Sequence, residues 1–260
     1  MKSRRPVLFF VFLLALILIF LGGLLVHRIC NQIEVYRFET GQPGPVVLIV
    51  AGTHGNEPAG RLLLQQWISS LSSESSEDKE EHPTPLSGVK RGTLLLLPCA
   101  NRSGCALGSR WMWHRFLHRD LNRNYTEEGT EPVSQQIIQL IRREHVDFIV
   151  DLHEGWGFHL QDQRSIGSTL TPTTDLSREI ANTIVQSLNQ TISDPSRHFT
   201  VRDETDHLLT LRNFARRNGL NYLLVETTGI DDVQPLPIRM QQVDHILSSV
   251  LDQLGMTTPH

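Results

Sequence analysis

The feature that most constrains this chain is a series of short apolar runs that alternate with amphipathic segments. Residues 46–50 are apolar at every position, as expected of a strand buried on both faces of a parallel sheet. Strands are predicted at residues 33–38, 45–51, 92–98, 146–152 and 221–227, and helices at 57–71, 132–144, 175–188, 208–218 and 238–254. This alternation predicts an α/β fold of three layers, with a mixed, mainly parallel sheet and helices on both faces.

A transmembrane helix is predicted to precede this domain. Residues 6–26 form 21 positions without a charged or polar side chain, and about 20 apolar residues cross a bilayer core. Lys2, Arg4 and Arg5 precede the run and only Arg28 follows it closely, which favours a cytoplasmic N-terminus. We therefore expect a cytoplasmic tip and signal anchor in residues 1–30 and an extracytoplasmic domain, periplasmic or extracellular, in residues 31–260. The alternative is a cleaved signal peptide, whose apolar region is usually only about 7–15 residues long.

The net charge bears on the class of partner, and two local features bear on the structure of the domain. The formal net charge is −4, and the basic N-terminal tip leaves the predicted domain more acidic still, which argues against a nucleic-acid partner. Residues 69–90 are rich in Ser, Glu and Pro and predict an acidic surface loop inserted into the domain. Cys99 and Cys105 form either a short bridge or two free thiols. The sequence leaves the oligomeric state open.

Potential metal ligands, acids or basic groups lie at or after the ends of four predicted strands. In sheets of this kind, ligands bind beyond the carboxyl ends of the strands. His54 and Glu57 follow residues 45–51, and a loop with Arg115 and the segment 120–123 follows residues 92–98. His153 follows residues 146–152, and Glu226 is the next-to-last residue of the last predicted strand, 221–227. The coincidence predicts one functional site at this edge of the sheet.

His54 and Glu57 have the spacing of two ligands in a metal site. Two residues three positions apart at the start of a helix can direct their side chains at one ion, and zinc accepts both His nitrogen and carboxylate oxygen. The spacing alone is weak evidence, because His159 and Asp162 repeat it, and we interpret that second match as chance. His153 supplies the third ligand that a catalytic zinc site of the His₂Glu type requires.

Four sequence blocks carry a family resemblance. The blocks are Gly52-Thr-His54-Gly-Asn-Glu57, Arg115 with Asp120-Leu-Asn122-Arg123, Asp151-Leu-His153 and Val225-Glu226-Thr227. In this order they resemble the zinc carboxypeptidase superfamily, most of all the succinylglutamate desuccinylase/aspartoacylase branch. The resemblance implies one Zn²⁺ per chain held by His54, Glu57 and His153, with Glu226 as the general base and then the acid. It further implies that Arg115 stabilises the oxyanion and that Asn122 and Arg123 bind a substrate carboxylate, with Asp151 as a supporting group.

The resemblance therefore predicts a membrane-anchored zinc hydrolase. It would cleave an amide bond adjacent to a free carboxylate with a zinc-activated water, as a carboxypeptidase does on peptides. The alternatives are an N-acyl amino acid deacylase and, with less support, a non-catalytic binding module of the same fold. No Gly-x-Ser-x-Gly elbow, phosphate-binding loop or His-Glu-x-x-His motif favours another hydrolase or nucleotide-binding class.

Two departures from the pattern bear on the substrate. The residues after Glu226 predict one helix rather than the entrance-narrowing domain of the aspartoacylase branch, so we expect an open site that favours peptides. Glu154, directly after His153, is unusual for that branch. Three interpretations of Glu154 remain open: it orients the neighbouring ligand, it binds a cationic substrate, or it is an ordinary surface residue.

Overall fold

The computed structural model describes residues 5–73, 88–114, 117–203 and 207–257. The apolar N-terminal segment forms helix α1, Arg5–Cys30. A stretch of 19 residues within it, Phe12–Cys30, is long and apolar enough to cross a membrane, and its described side chains are not buried inside the domain. Its length and composition fit a membrane span and a signal sequence equally well.

The described residues contain a mixed sheet of seven strands in the order β1-β3-β2-β6-β9-β7-β8. The strands are β1 Tyr36–Glu39, β2 Val46–Ala51, β3 Thr93–Leu97, β6 Phe148–Gly155, β7 Thr169–Pro172, β8 Thr200–Val201 and β9 Asn221–Thr228. Strands β3, β2, β6 and β9 are parallel neighbours, and so are β7 and β8. The pairs β1–β3 and β7–β9 are antiparallel. The predicted mixed, mainly parallel sheet is confirmed.

Helices cover both faces of this sheet. They are α2 Pro58–Ser73, α3 Arg102–Leu107, α4 Pro132–Arg143, α5 Asp175–Asn189, α6 Leu211–Arg217 and α7 Leu236–Gln253. Side chains of α2, α5 and α7 pack with Val47 and Ile49 of β2 on one face. Side chains of α4 and α6 pack with Leu48 of the same strand on the other. Each fully buried aliphatic side chain contributes about 1.5–3 kcal/mol, which explains why the central strands are apolar at successive positions.

The structure differs from the sequence prediction where the elements are short. Residues 99–130, which show little periodicity, contain α3 and a hairpin of β4 Met112–His114 with β5 Leu117–Arg119. Strands β7 and β8 were not predicted, because four and two residues are too few for a recognisable pattern. The first strand begins at Tyr36 rather than at residue 33.

The ends of the predicted acidic loop are ordered elements. Helix α2 continues to Ser73, four residues past the predicted loop start, and Val89 pairs with Thr257. Residues 74–87, which contain most of the predicted loop, lie outside the described residues.

Candidate metal centre

Three neighbouring strands bring the predicted metal ligands and the predicted base together. His54 and Glu57 lie in the turn after β2, and Glu57 immediately precedes Pro58 at the start of α2, where a residue without an N–H is well tolerated. His153 lies near the carboxyl end of β6, which pairs with β2 on one side and β9 on the other. Glu226 of β9 is the register partner of His153, so both side chains leave the same face of the sheet.

His54, Glu57 and His153 form one compact, buried cluster. The Nδ1 atoms of the two histidines are 3.2 Å apart. Glu57 lies between them, with Oε1 at 2.6 Å from His54 Nδ1 and Oε2 at 2.9 Å from His153 Nδ1. Among the described residues, this is a group whose His and carboxylate atoms lie close enough together to hold a metal ion. Two imidazole nitrogens and a carboxylate oxygen are donors that suit a divalent cation such as zinc.

The outward ring nitrogen of each histidine faces a carboxylate. His54 Nε2 is 3.1 Å from Asp120 Oδ1, and His153 Nε2 is 3.3 Å from Asp151 Oδ1. The Tyr222 hydroxyl donates to the other oxygen of Asp151 at 2.7 Å. Such carboxylates hold the proton on the outer nitrogen and leave the inner nitrogen free to bind a cation. The two Nδ1 atoms are thus the ring nitrogens that face Glu57.

The electrostatics of the cluster favour charged forms despite deep burial. Burial alone would raise the pKa of the Glu57 carboxyl, but His54 and His153 together hold that pKa below its usual range. Burial would lower the pKa of His153, yet Asp151 and Glu57 hold it well above its usual value. The pKa of Asp120 is lowered in the same way, against its burial, by His54 and Arg110.

A loop after β3 supports the turn that carries His54. Gly55 donates its N–H to the Ser109 carbonyl at 2.9 Å, and Asn101 donates its N–H to the Gly52 carbonyl at 2.9 Å. Cys99 and Cys105 form a disulfide that closes this supporting loop. Of the two alternatives for Cys99 and Cys105, a short bridge or two free thiols, the structure therefore has the bridge.

Glycine is required where these two loops touch. A Cβ atom on Gly55 would lie 1.9 Å from the backbone carbon of Gly104, so an alanine there must push the supporting loop away. We expect Gly55→Ala to lower the free energy of unfolding by about 1–3 kcal/mol, the usual cost of overpacking. Chemical denaturation of the full chain in detergent measures the change.

Gly88→Ala is the matched control, because a Cβ atom there meets nothing within 4 Å. We expect the free energy of unfolding to stay the same or rise slightly with this variant. Equal destabilisation by the two substitutions would contradict the close packing of Gly55 against Gly104.

The predicted substrate-binding residues lie in the same segment as Asp120, the carboxylate that faces His54. Asn122 and Arg123 stand two and three positions after Asp120, and the Asn122 side-chain oxygen accepts the N–H of Leu211 at the start of α6 at 3.0 Å. The Arg123 guanidinium is half-buried and donates to the Asn122 carbonyl at 2.7 Å. Arg115, the predicted oxyanion-stabilising residue, lies outside the described residues.

Sequence reasoning missed the groups that surround the cluster. Arg110 donates to Asp120 Oδ2 at 2.9 Å, and its Nη1 lies 3.3 Å from His54 Nδ1. Asp120 stands in one of the quoted sequence blocks, which could have indicated its role, whereas Arg110 belongs to no recognised pattern. The third interpretation of Glu154 is wrong: it is buried and forms an ion pair with Arg239 of α7. Burial raises the pKa of the Glu154 carboxyl to about 7, against the opposing effects of the Ala59 N–H and Arg239.

A family model matches the amino-terminal half of the domain. The model describes the succinylglutamate desuccinylase/aspartoacylase catalytic domain, and it matches residues 43–157. These residues include β2, β3 and β6 and the whole His54, Glu57 and His153 cluster. No curated protein sequence matches the chain significantly.

Solved structures of the same fold come from several bacteria. The tripeptide-bound cell shape determinant Csd4 of Helicobacter pylori has a TM-score of 0.67 at 18% identity, over 88% of this chain and 57% of Csd4. A metallo-carboxypeptidase from Burkholderia cenocepacia has a TM-score of 0.61 at 14% identity, over 85% of this chain and 60% of that protein. An aspartoacylase family protein from Mesorhizobium loti has a TM-score of 0.55 at 17% identity, over 88% of this chain and 63% of that protein.

These matches bear on the fold and on the family. The chain spans less than two thirds of the length of each of these three solved proteins. At such low identity the structural likeness establishes a common fold. Together with the family match, it confirms that this chain resembles the zinc carboxypeptidase superfamily and is most like its succinylglutamate desuccinylase/aspartoacylase branch.

Proposed function

We propose that this protein is a membrane-anchored zinc hydrolase that cleaves an amide bond adjacent to a free carboxylate, in the manner of a carboxypeptidase. One observation carries the proposal. The His54 and His153 Nδ1 atoms converge with the Glu57 carboxylate, while Glu226 lies in register beside His153 on the next strand. A metal-binding cluster and a carboxylate at adjacent strand ends are the parts that metal-assisted hydrolysis requires.

The metal is assigned from the donor set. His54, Glu57 and His153 are three protein ligands of the His₂Glu type, which leaves a fourth position for water or substrate. A zinc ion held by them would act as a Lewis acid that activates water and polarises the scissile carbonyl. Asp120 and Asp151 keep the two rings oriented for this task through their outer nitrogens.

Glu226 is assigned as the general base and acid. Its register partner is the ligand His153, and its antiparallel partner on the other side is Thr169. In this position the carboxylate takes up a proton from the attacking water and then delivers it to the leaving amine. Proton transfer by a positioned side chain typically contributes about 10²–10⁴-fold to the rate.

Three residues are assigned to the substrate. Arg123 offers a guanidinium to the free carboxylate of the substrate, and Asn122 offers its amide beside it. Arg115 is assigned to the oxyanion of the tetrahedral intermediate. Asp120 links this group to the metal cluster, because Asn122 donates its N–H to the same Asp120 oxygen that faces His54.

Peptides are the favoured substrate class. Csd4 was solved with a tripeptide and, as a D,L-carboxypeptidase, in an mDAP-bound form, which supports a peptide-like substrate for a chain of similar fold. The second candidate, N-acyl amino acid deacylation, is favoured by the family model that matches residues 43–157. A non-catalytic binding module is the third candidate.

The proposed location is based on α1. We assign it as an uncleaved anchor that places the domain outside the cytoplasm, in a periplasmic or extracellular compartment. The Cys99–Cys105 disulfide supports this assignment, since such bonds persist in oxidising compartments.

A substrate screen tests the activity. The zinc-loaded protein is incubated with C-terminal peptides, muropeptides and N-acyl amino acids, and released amines are quantified. Release of a C-terminal residue from peptides supports the first candidate, and turnover of N-acyl amino acids alone supports the second. Zinc binding without hydrolysis of any of these substrate classes would support the third candidate, the non-catalytic binding module.

The assignment of Arg123 predicts a selective kinetic defect. We expect Arg123→Gln to raise KM for carboxylate-bearing substrates by about tenfold or more, since hydrogen bonds to charged groups contribute about 1.5–3 kcal/mol. Steady-state kinetics measures KM and kcat separately. Arg164→Gln is the control, because Arg164 is an exposed guanidinium paired with Asp162. An equal KM for wild type and Arg123→Gln would remove Arg123 from the site.

A further inference from the structure

Glu154 lies under the metal cluster on the opposite face of the sheet. Successive residues of a strand point to opposite faces, so His153 and Glu154 leave β6 in opposite directions. The Glu154 side chain enters the layer of α2 and α7, where its Oε1 accepts the N–H of Ala59 at 2.5 Å. Its Oε2 accepts from Arg239 Nη1 at 2.6 Å. The carboxylate therefore joins β6 to the first turn of α2 and to α7.

Arg239 extends the contact to the end of β9. Its Nη1 also donates to the Gly229 carbonyl at 2.7 Å, and the Gly229 N–H donates to the Gly155 carbonyl at 3.1 Å. A Cβ atom on Gly229 would overlap both the Glu154 carboxylate and the Arg239 guanidinium. The ion pair is thus packed closely against the backbone at the ends of β6 and β9.

Three of the four elements that meet at this pair, α2, β6 and β9, carry or directly follow residues of the proposed active site. Ala59 is two residues after Glu57, and the Glu154 N–H itself donates to Glu57 Oε2 at 3.2 Å. His153 precedes Glu154, and Gly229 follows Glu226 by three residues. The pair is therefore bonded to backbone that lies within one to three residues of His153, Glu57 and Glu226.

Stability alone is a weak reason for such a pair. Both side chains are about 2% exposed, and removing two charges from water costs several kcal/mol per ion in typical proteins. Apolar side chains of similar volume commonly stabilise a core as well or better. What apolar side chains lack is the directed bonding that fixes three backbone segments relative to one another.

We propose that Glu154 and Arg239 are positioning residues that fix the geometry of the metal ligands and of Glu226 from behind the sheet. The assignment rests on the proposed function, because it concerns the metal that His54, Glu57 and His153 are proposed to hold. Neither residue touches the substrate in this scheme. Both act through the backbone of α2, β6 and β9.

The test measures metal binding apart from catalysis. Glu154→Gln, Arg239→Met and the conservative Arg239→Lys are compared with the full-length wild type in detergent. The readouts are the zinc Kd from competition with a chelating dye, the visible absorption spectrum after Co²⁺ substitution, and the Tm. We expect Glu154→Gln and Arg239→Met to weaken zinc binding by about 10–100-fold, as loss of an outer partner typically does, and to alter the Co²⁺ spectrum. Arg239→Lys keeps a cationic donor and is expected to restore most of the affinity.

Asp244→Ala is the matched control. The Asp244 carboxylate accepts the indole N–H of Trp67 at 3.0 Å, so this contact joins the same two helices, α2 and α7, away from the cluster. We expect Asp244→Ala to lower the Tm and leave the zinc Kd and the Co²⁺ spectrum unchanged.

Two results would overturn the assignment in distinguishable ways. If Glu154→Gln and Arg239→Met lower the Tm as Asp244→Ala does, with zinc Kd and Co²⁺ spectrum unchanged, the pair is purely structural and the proposed function stands. If the folded wild type binds neither metal, the proposed function fails and the assignment fails with it. Should Arg239→Met not fold, Glu154→Gln, which retains the volume of the side chain, decides the question.

Discussion

Replacing Glu226 by Gln is expected to lower kcat by about 10²–10⁴-fold, the usual contribution of a positioned acid–base group. The amide has nearly the shape of the carboxylate but does not accept the proton of the attacking water. Because Glu226 lies beside His153 and is outside the three-residue metal cluster, the bound metal should remain. Steady-state hydrolysis and metal analysis of the same preparations measure both effects.

Controls separate a chemical from a structural effect in this experiment. The far-ultraviolet circular dichroism and the Tm of Glu226→Gln should match the wild type, since Gln keeps the size of the side chain. Turnover equal to that of the wild type would exclude Glu226 as the base. Loss of metal together with activity would instead place Glu226 among the ligands.

Substitution of His54 by Ala is expected to produce the other large effect. It removes one inward Nδ1 donor and leaves Glu57 and His153 with an incomplete set. Outer partners of a metal ligand already contribute about 10–100-fold to affinity, so loss of a ligand should exceed that range. Zinc content after dialysis is expected to fall from about one ion per chain to near zero, and activity with it.

His159→Ala is the matched control for the ligand experiment. His159 and Asp162 repeat the spacing of His54 and Glu57, but the His159 ring bonds to the Ser165 carbonyl and Asp162 pairs with Arg164. We expect zinc content and turnover to stay at wild-type values. Equal losses in both histidine variants would mean that zinc binds without site specificity.

The sequence predicted the central strands and the cluster because both depend on local patterns. Apolar runs such as β2 mark buried strands, and parallel strands bring the residues at their carboxyl ends to one edge. His54, Glu57 and His153 could therefore be placed together even though 96 positions separate Glu57 from His153. Zinc itself, the role of Glu226 and the location of the domain stay predictions.

What the sequence could not predict depends on contacts between distant side chains. Arg239 stands on an amphipathic helix where a charged residue normally faces water, and nothing nearby reveals a partner 85 positions earlier. Likewise, Arg110 lies in a segment without periodicity, and its contact with Asp120 depends on how the β4–β5 hairpin folds back. Such pairings are set by tertiary packing rather than by propensity.

The alternation of side chains along β6 makes the cluster an all-or-none product of folding. The side chains of Asp151 and His153 lie on the face with the proposed metal, whereas those of Leu152 and Glu154 lie on the face covered by α2 and α7. A slip of one residue against β2 and β9 would exchange these two sets, putting a leucine among the ligands and a histidine against Arg239. Metal uptake would therefore report on correct strand pairing, and ion retention could serve as an assay for native chains during refolding.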